Sequence, residues 1–412
     1  MWGIVLSTFA SVSNFAGAMT VRAFLGIFEA AVTPGFAFIT SQWYTKEEQG
    51  LRVAIWFSFN GWAQIVGGVV AYGIAVGVQE HGAALHAWRI IFLVTGLLTA
   101  CVGVVFFFVV PDNQLNARWL NQRDRLLAVE RIRKNQQGVG NKHWKAYQFK
   151  EALTDPLSWA LFFYALVADI PNGGISNFFS IIITGIGYTP LQSLLYGTPG
   201  GAVEIVTILA WGFATRYYGN RLLFSSVSMV LALLGAILLV ALPRDNHGGR
   251  LGGYYLTQAS AVPFVALLSL ISTNVAGYTK KTTVAAMYLI AYCAGNIIVR
   301  TRGCVLFSTT PGIADAARQG PQTFRSKDAP RYVPAEATIC ACYGACLLIL
   351  AFIYCWCKRK NAQKARVRAQ PGYEKLLHQV RFHAQYSPPS RRIISCADYV
   401  FLQEFLDLTD GG

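Results

Sequence analysis

Four ionisable side chains lie inside apolar runs long enough to cross a bilayer: Arg22, Glu29, Asp169 and Glu204. A charge in that setting costs about 2.5–3.5 kcal/mol on insertion scales, so it should face protein or water and points to function. Arg22 and Glu29 are seven residues apart in one run. Seven steps of about 100° return to nearly the same helix face, two turns on. One stripe then offers a fixed cation and a titratable acid, the minimum needed to couple an organic anion to a proton. A carboxyl's proton affinity responds to neighbouring charge, so an anion held at Arg22 would switch Glu29. The competing reading is an ion pair or cap that only holds helices together.

Asp169 opens the run Asp169-Ile-Pro-Asn-Gly-Gly174. Proline and glycine inside a span interrupt backbone hydrogen bonds, and such helices often line a substrate cavity; a simple kink is the alternative. Asp169 is a second candidate for proton coupling, with Asn172 and Asn177 as neutral substrate contacts. Glu204 follows Pro199-Gly-Gly201 in the next run, and a gate contact is its expected role. Asn60 and Gln64, four apart, share one face of another run. They are candidate substrate contacts, although polar glue between helices is the commoner use of such residues.

These side chains must be positioned by spans of roughly twenty apolar residues. Of the 412 residues 54% are hydrophobic and 13% charged, the latter about half the usual share near 25%. That excludes a disordered chain, a coiled coil and an ordinary soluble globule, and alternating ten-residue strands of a barrel are absent. The expected fold class is an all-α multi-pass membrane protein. Ten spans are expected, at 2–14, 16–41, 52–76, 89–110, 157–185, 191–214, 221–242, 253–275, 282–298 and 335–357. Four precede a polar connector at 111–155, which carries nine Lys/Arg against five Asp/Glu, and six follow it. The net charge of +15 sits between and after the spans. It reads as cytoplasmic positive charge on the connector and the tail from 358, not as a nucleic-acid surface.

The sequence offers little to other chemistries. The six histidines are scattered through loops, no HxxxH pair exists, and the nine cysteines form no CxxC pair, so no metal or other cofactor is expected. Cys357, beside Lys358-Arg-Lys360, is a candidate for palmitoylation. No GxxxxGK[ST] phosphate loop and no GxSxG nucleophile elbow occur, so neither an ATP motor nor a serine hydrolase is expected. The chain is not expected to be an enzyme. Its expected partners are the lipid bilayer, a small organic anion and protons.

The segment Arg22-Ala-Phe-Leu-Gly-Ile-Phe-Glu-Ala-Ala-Val-Thr-Pro-Gly35 resembles the fourth-helix motif of the anion:cation symporters of the major facilitator superfamily. Trp43–Arg52 (WYTKEEQGLR), Ile170–Phe178 (IPNGGISNF), Asn274–Thr282 (NVAGYTKKT) and Gly320–Ile339 (GPQTFRSKDAPRYVPAEATI) resemble segments of its fungal allantoate permease group. The likeness runs from residue 2 to about 375. It implies two six-helix bundles around a central cavity, rocking alternating access, and proton-coupled uptake of allantoate, ureidosuccinate, nicotinate or related carboxylates. By the same resemblance Arg22 and Glu29 serve substrate binding and proton coupling, and the plasma membrane is the default location.

Two departures from the family pattern are expected. Met1-Trp2 aligns with the start of the third helix, so the first two helices would be missing. The implied division is a partial first bundle at 1–110 (helices three to six), the connector 111–155, a second bundle at 156–357 and a tail at 358–412. A non-transporting product, or a nutrient sensor on the same fold, is the alternative function. The second departure is a pair of inserts, Val299–Gln319 and Val380–Gln403. Removing the first restores Asn-Ile-Ile-Gly-Pro-Gln-Thr-Phe, and removing the second restores Gln-Glu-Phe-Leu-Asp-Leu-Thr-Asp. Each starts Val-Arg, ends in Gln and carries Ala-Asp near its end, which suits translated introns with GT and CAG borders. Genuine loop insertions are the alternative.

Overall fold

The computed structural model describes residues 1–111, 114–133, 144–243, 245–275, 277–298 and 333–368. Both proposed inserts lie outside the described residues. Every regular element among the described residues is a helix, and none is a strand. The first group is α1 (Trp2–Thr8), α2 (Phe15–Glu29), α3 (Val32–Trp43), α4 (Lys46–Phe57), α5 (Phe59–His81) and α6 (Ala87–Val109). The connector holds α7 (Gln122–Arg133) and α8 (Ala146–Thr154). The second group begins with α9 (Pro156–Ile186), α10 (Pro190–Tyr196), α11 (Thr198–Tyr218) and α12 (Arg221–Ala241). It ends with α13 (His247–Thr257), α14 (Ala261–Asn274), α15 (Tyr278–Ile298) and α16 (Val333–Arg368).

Each of the ten expected spans coincides with helix. Among the described residues seven stretches are long and apolar enough to cross a bilayer, and eight if Ala146–Thr154 and Pro156–Ser176, bent by 65°, count as one. Trp2–Ser11 is a shorter apolar helix. Local chemistry sets the helix starts. Asn14 accepts from the Gly17 amide at 2.8 Å to begin α2, and Thr45 with Glu48 forms a capping box for α4. Asp155 caps α9 through the Leu157 amide, with Pro156 in the first turn. Such caps satisfy amides that the helix itself leaves unbonded. The expected interruption at Pro171 is not observed: α9 runs unbroken through Pro171. The proline removes one backbone bond, yet close packing against α15 keeps the helix whole.

The two groups differ in packing. In the three membrane-length windows of α2–α6 only 6% of residues are buried, against 33–72% in the four windows from α10 to α16. The main core belongs to the second group and includes Tyr164, Tyr254, Tyr288, Tyr343 and Met229. A smaller core joins the groups: Val53 and Ala54 of α4 pack with Ile208 and Trp211 of α11 and Val262, Val265 and Ala266 of α14. At the connector end, Arg131 pairs with Glu48 at 2.5 Å, and Lys280 pairs with Glu151 at 2.7 Å and Asp155 at 3.3 Å. The connector is thereby tied to both groups.

Candidate functional site

Asp169 lies on α9 and is buried to 4% exposure. Its Oδ1 accepts from Asn172 Nδ2 at 3.2 Å, and Asn172 Oδ1 in turn accepts from Ser176 Oγ at 3.1 Å. Its Oδ2 is buried without a hydrogen-bond partner. The site exists because α9 and α15 approach closely. A Cβ on Gly295 would stand 2.5 Å from the Leu166 carbonyl oxygen and 2.9 Å from Asp169 Cβ, so only glycine fits there. Tyr164, Tyr288, Tyr292, Tyr343 and Cys346 lie within electrostatic reach of the Asp169 carboxyl. Tyr288 donates to the Phe264 carbonyl at 3.1 Å and Tyr343 to Ser260 Oγ at 3.2 Å, whereas the buried Tyr164 hydroxyl has no partner. Asn296 of α15 also lies within hydrogen-bonding range of the Asp169 carboxyl, and the Tyr164 hydroxyl beside it has no partner, a setting suited to a proton or a water. The side chain of Asn177 lies outside the described residues.

Arg22, in the middle of α2, and Glu29, its last residue, are both exposed. Neither is sealed by apolar neighbours. The Arg22 guanidinium stands 4.9 Å above the Phe9 ring, and it makes no ion pair with Glu29 among the described residues. Glu29 lies two turns further along the same exposed helix. Its charge reaches Tyr292 and Cys293 of α15, the same two residues that Asp169 reaches from α9. Carboxyls from different halves of the chain thus act electrostatically on one tyrosine–cysteine step.

Glu204 is also buried to 4%, but its setting is an interface. Asn60 Nδ2 of α5 donates to Glu204 Oε1 at 3.1 Å, and Gln64 Nε2 donates to the Gly197 carbonyl at 3.1 Å. Both bonds cross from one helix group to the other. They sit beside the tightest crossing between the groups, where a Cβ on Gly61 or on Gly201 would come to 2.5 Å from the other's carbonyl oxygen. Small residues at a crossing let polar neighbours bond across it. Asn60 and Gln64 are therefore engaged between helices here, and Glu204 is brought to them.

Two arrangements were not singled out from the sequence. Arg250 of α13 and Glu336 of α16 form a buried ion pair at 3.0 Å. Arg250 falls outside the expected span 253–275 because α13 begins at His247, and nothing in one sequence links residues 86 apart. Arg221 donates to Ser269 Oγ at 3.1 Å on α14, and its guanidinium carbon would be 3.6 Å from a Cβ on Gly50. It ties the connector-side end of the second group to the first.

No groups of three or more His, Cys, Asp or Glu able to hold a metal occur among the described residues. What the geometry offers is buried and half-open carboxyls between two helix groups joined by polar crossings. Residues 1–299 match the Major Facilitator Superfamily. The chain belongs to that superfamily. An uncharacterized transporter of Schizosaccharomyces pombe is 39% identical over 373 residues, covering 90% of this chain and 68% of that protein. The allantoate permease of Saccharomyces cerevisiae is 35% identical over 392 residues, covering 93% and 68%. A thiamine pathway transporter of the same yeast is 32% identical over 381 residues, covering 92% and 68%. Among solved structures, a bacterial homolog of the human lysosomal transporter Spinster, inward-facing and occupied, superposes with a TM-score of 0.50 at 18% identity. That superposition covers 87% of this chain and 80% of that one, and it speaks for the fold alone. The superfamily member described here is a multi-pass membrane transporter, and its superfamily is a non-enzyme class.

Proposed function

We propose that the chain is a proton-coupled symporter of small organic anions working by alternating access, with allantoate, ureidosuccinate, nicotinate and related carboxylates as the substrate class, in the plasma membrane. Arg22 is the anion contact and Glu29 the proton carrier, with Asp169 as a second proton site. Asn172 and Asn177 line the wall of the second group; Asn60 and Gln64 form the wall of the first, with Glu204 as the gate they hold.

One observation carries this reading. Glu29 and Asp169, from the two halves, both reach the Tyr292–Cys293 step of α15. A proton or anion bound between the halves is then felt by titratable groups on both, which is what coupled rocking requires. The named yeast relative that carries allantoate supports the substrate class. The test is uptake of labelled carboxylates and ureides by transport-deficient cells expressing the chain, at two external pH values. Accumulation that grows at the lower pH is expected; equal accumulation at both would remove proton coupling.

A second reading has its own support. Phe24 and Ile27 of α2 and Phe59 and Trp62 of α5 are large and not covered by protein. A non-transporting product or a nutrient sensor tolerates that. Substrate binding without flux is its signature.

A further inference from the structure

Between α9 and α16, on the outer surface of the second group, runs a groove of about 420 Å³. Trp159, Ala160 and Phe163 form one wall and Leu348, Ile349 and Phe352 the other. Its lining is wholly apolar, so a soluble metabolite finds nothing there to hydrogen-bond, whereas an acyl chain does not need to. Trp159, Phe163, Leu348 and Phe352 are 40–74% exposed. The groove lies near the connector end of α9, where Trp159 Nε1 is fixed by a bond to the Leu153 carbonyl at 2.7 Å.

The floor of this groove leads to charge. Leu348, Phe352, Trp356 and Lys360 recur every four residues on α16, which places them along one stripe. Phe352 stacks on Trp356 with centroids 6.0 Å apart, and Lys360 Nζ stands 5.6 Å over the Trp356 ring. From Phe352 to Lys360 is eight residues, about 12 Å along the axis. That is the scale of the step from buried acyl chain to headgroup. Helix α16 has 36 residues, about 54 Å, and overshoots a hydrocarbon core of about 30 Å. Its overshoot, residues 358–368, carries Lys358, Arg359, Lys360, Lys364, Arg366 and Arg368 with no Asp or Glu. Lys358, Arg359 and Lys360 are exposed.

We propose that this groove and basic stripe form a binding site for an anionic phospholipid of the connector-side leaflet. One acyl chain lies between Trp159 and Phe352, the glycerol is at Trp356, and the phosphate is at Lys358–Lys360. Basic clusters just outside a membrane helix attract anionic headgroups by about 1 kcal/mol per cation, which is roughly five-fold in occupancy. The proposal is independent of which anion is carried and of whether transport is proton-coupled.

The test is native mass spectrometry of the chain released from bilayer discs of phosphatidylcholine containing a minor share of phosphatidylserine with identical acyl chains. Phosphatidylserine should be retained at least about five-fold above its bulk share, the effect of a single cation engaging the headgroup. The triple variant Lys358→Gln, Arg359→Gln, Lys360→Gln should return it to bulk share. Leu348→Trp, which fills the groove and leaves every charge in place, should reduce retention of both lipids. Retention in bulk proportion, or unchanged enrichment in the triple variant, overturns the proposal. So does an acyl adduct that survives denaturing conditions and disappears in Cys357→Ser, since the occupant is then covalent. Competition by chain-free glycerophosphoserine as effective as that by the intact lipid overturns it too, because the groove is then no part of the site.

Discussion

Glu29 and Asp169 are both acids inside apolar helices, yet they live in opposite surroundings. Glu29 stands on α2, where most of the helix is uncovered; Asp169 stands on α9, packed against α15 with Asn172 and Asn296 at its carboxyl and four tyrosines nearby. The same residue type in the same kind of run therefore has two physical roles available. In the second group, packing decides what a substitution costs. In the first, the cost should fall on function and leave stability alone.

The largest expected effect that would break this contrast is at the Arg250–Glu336 pair. Removing one partner of a buried ion pair typically costs about 3–5 kcal/mol, because the survivor keeps an uncompensated charge. Arg250→Ala should lower the unfolding temperature of the purified chain sharply. A variant as stable as the parent would mean the second group is not held as described. Next is a matched pair of glycines. Gly295→Ala forces a methyl to 2.5 Å from a backbone oxygen and should cost about 1–3 kcal/mol of stability as overpacking. Gly26→Ala on α2 meets nothing within 4 Å and should be neutral or slightly stabilising, since alanine favours helix. Equal effects at the two sites, read by thermal melting, would erase the difference between the halves.

Smaller effects sharpen the contrast at the boundary between the groups. Asn60→Ala deletes the donor to Glu204 and should cost about 0.6 kcal/mol, at most about 1.7, the range measured for side-chain bonds between membrane helices. Its clearer signature is a changed transport rate. Smallest is Lys280, at the connector end. Burial alone would lower the pKa of its ammonium, but the carboxyls of Glu151 and Asp155 hold it above the ordinary lysine value. A cation whose folded pKa is raised contributes stability in full below the unfolded value, about 10.4, and loses it as pH climbs through the folded value. The pair is partly exposed, so its worth is below about 1 kcal/mol. The stability gap between the parent and Lys280→Met should be constant from neutral to mildly alkaline pH and close above about pH 10.4.

Helices were legible in the sequence because about twenty consecutive apolar residues leave few alternatives. Their ends were less so. The helical start at Lys46 precedes the expected span at 52 because a capping box makes a polar first turn helical. Helix α16 continues eleven residues past 357 because lysine, arginine, alanine and glutamine are good helix formers. The spacing of Arg22 and Glu29 was readable, but not their surroundings: Arg22 stands over Phe9, and the charge of Glu29 acts on Tyr292 and Cys293 of α15. Asn60 and Glu204 were each readable as residues out of place. Their bond spans 144 positions, and no local pattern encodes that. Arg250 hid just outside an apolar run, where a charge looks ordinary.

The most direct measurement compares Glu29→Gln with the parent in accumulation of a labelled carboxylate against an imposed proton gradient and, separately, in substrate exchange without one. Accumulation should be abolished in Glu29→Gln while exchange persists. Undiminished gradient-driven accumulation in that variant would contradict the account.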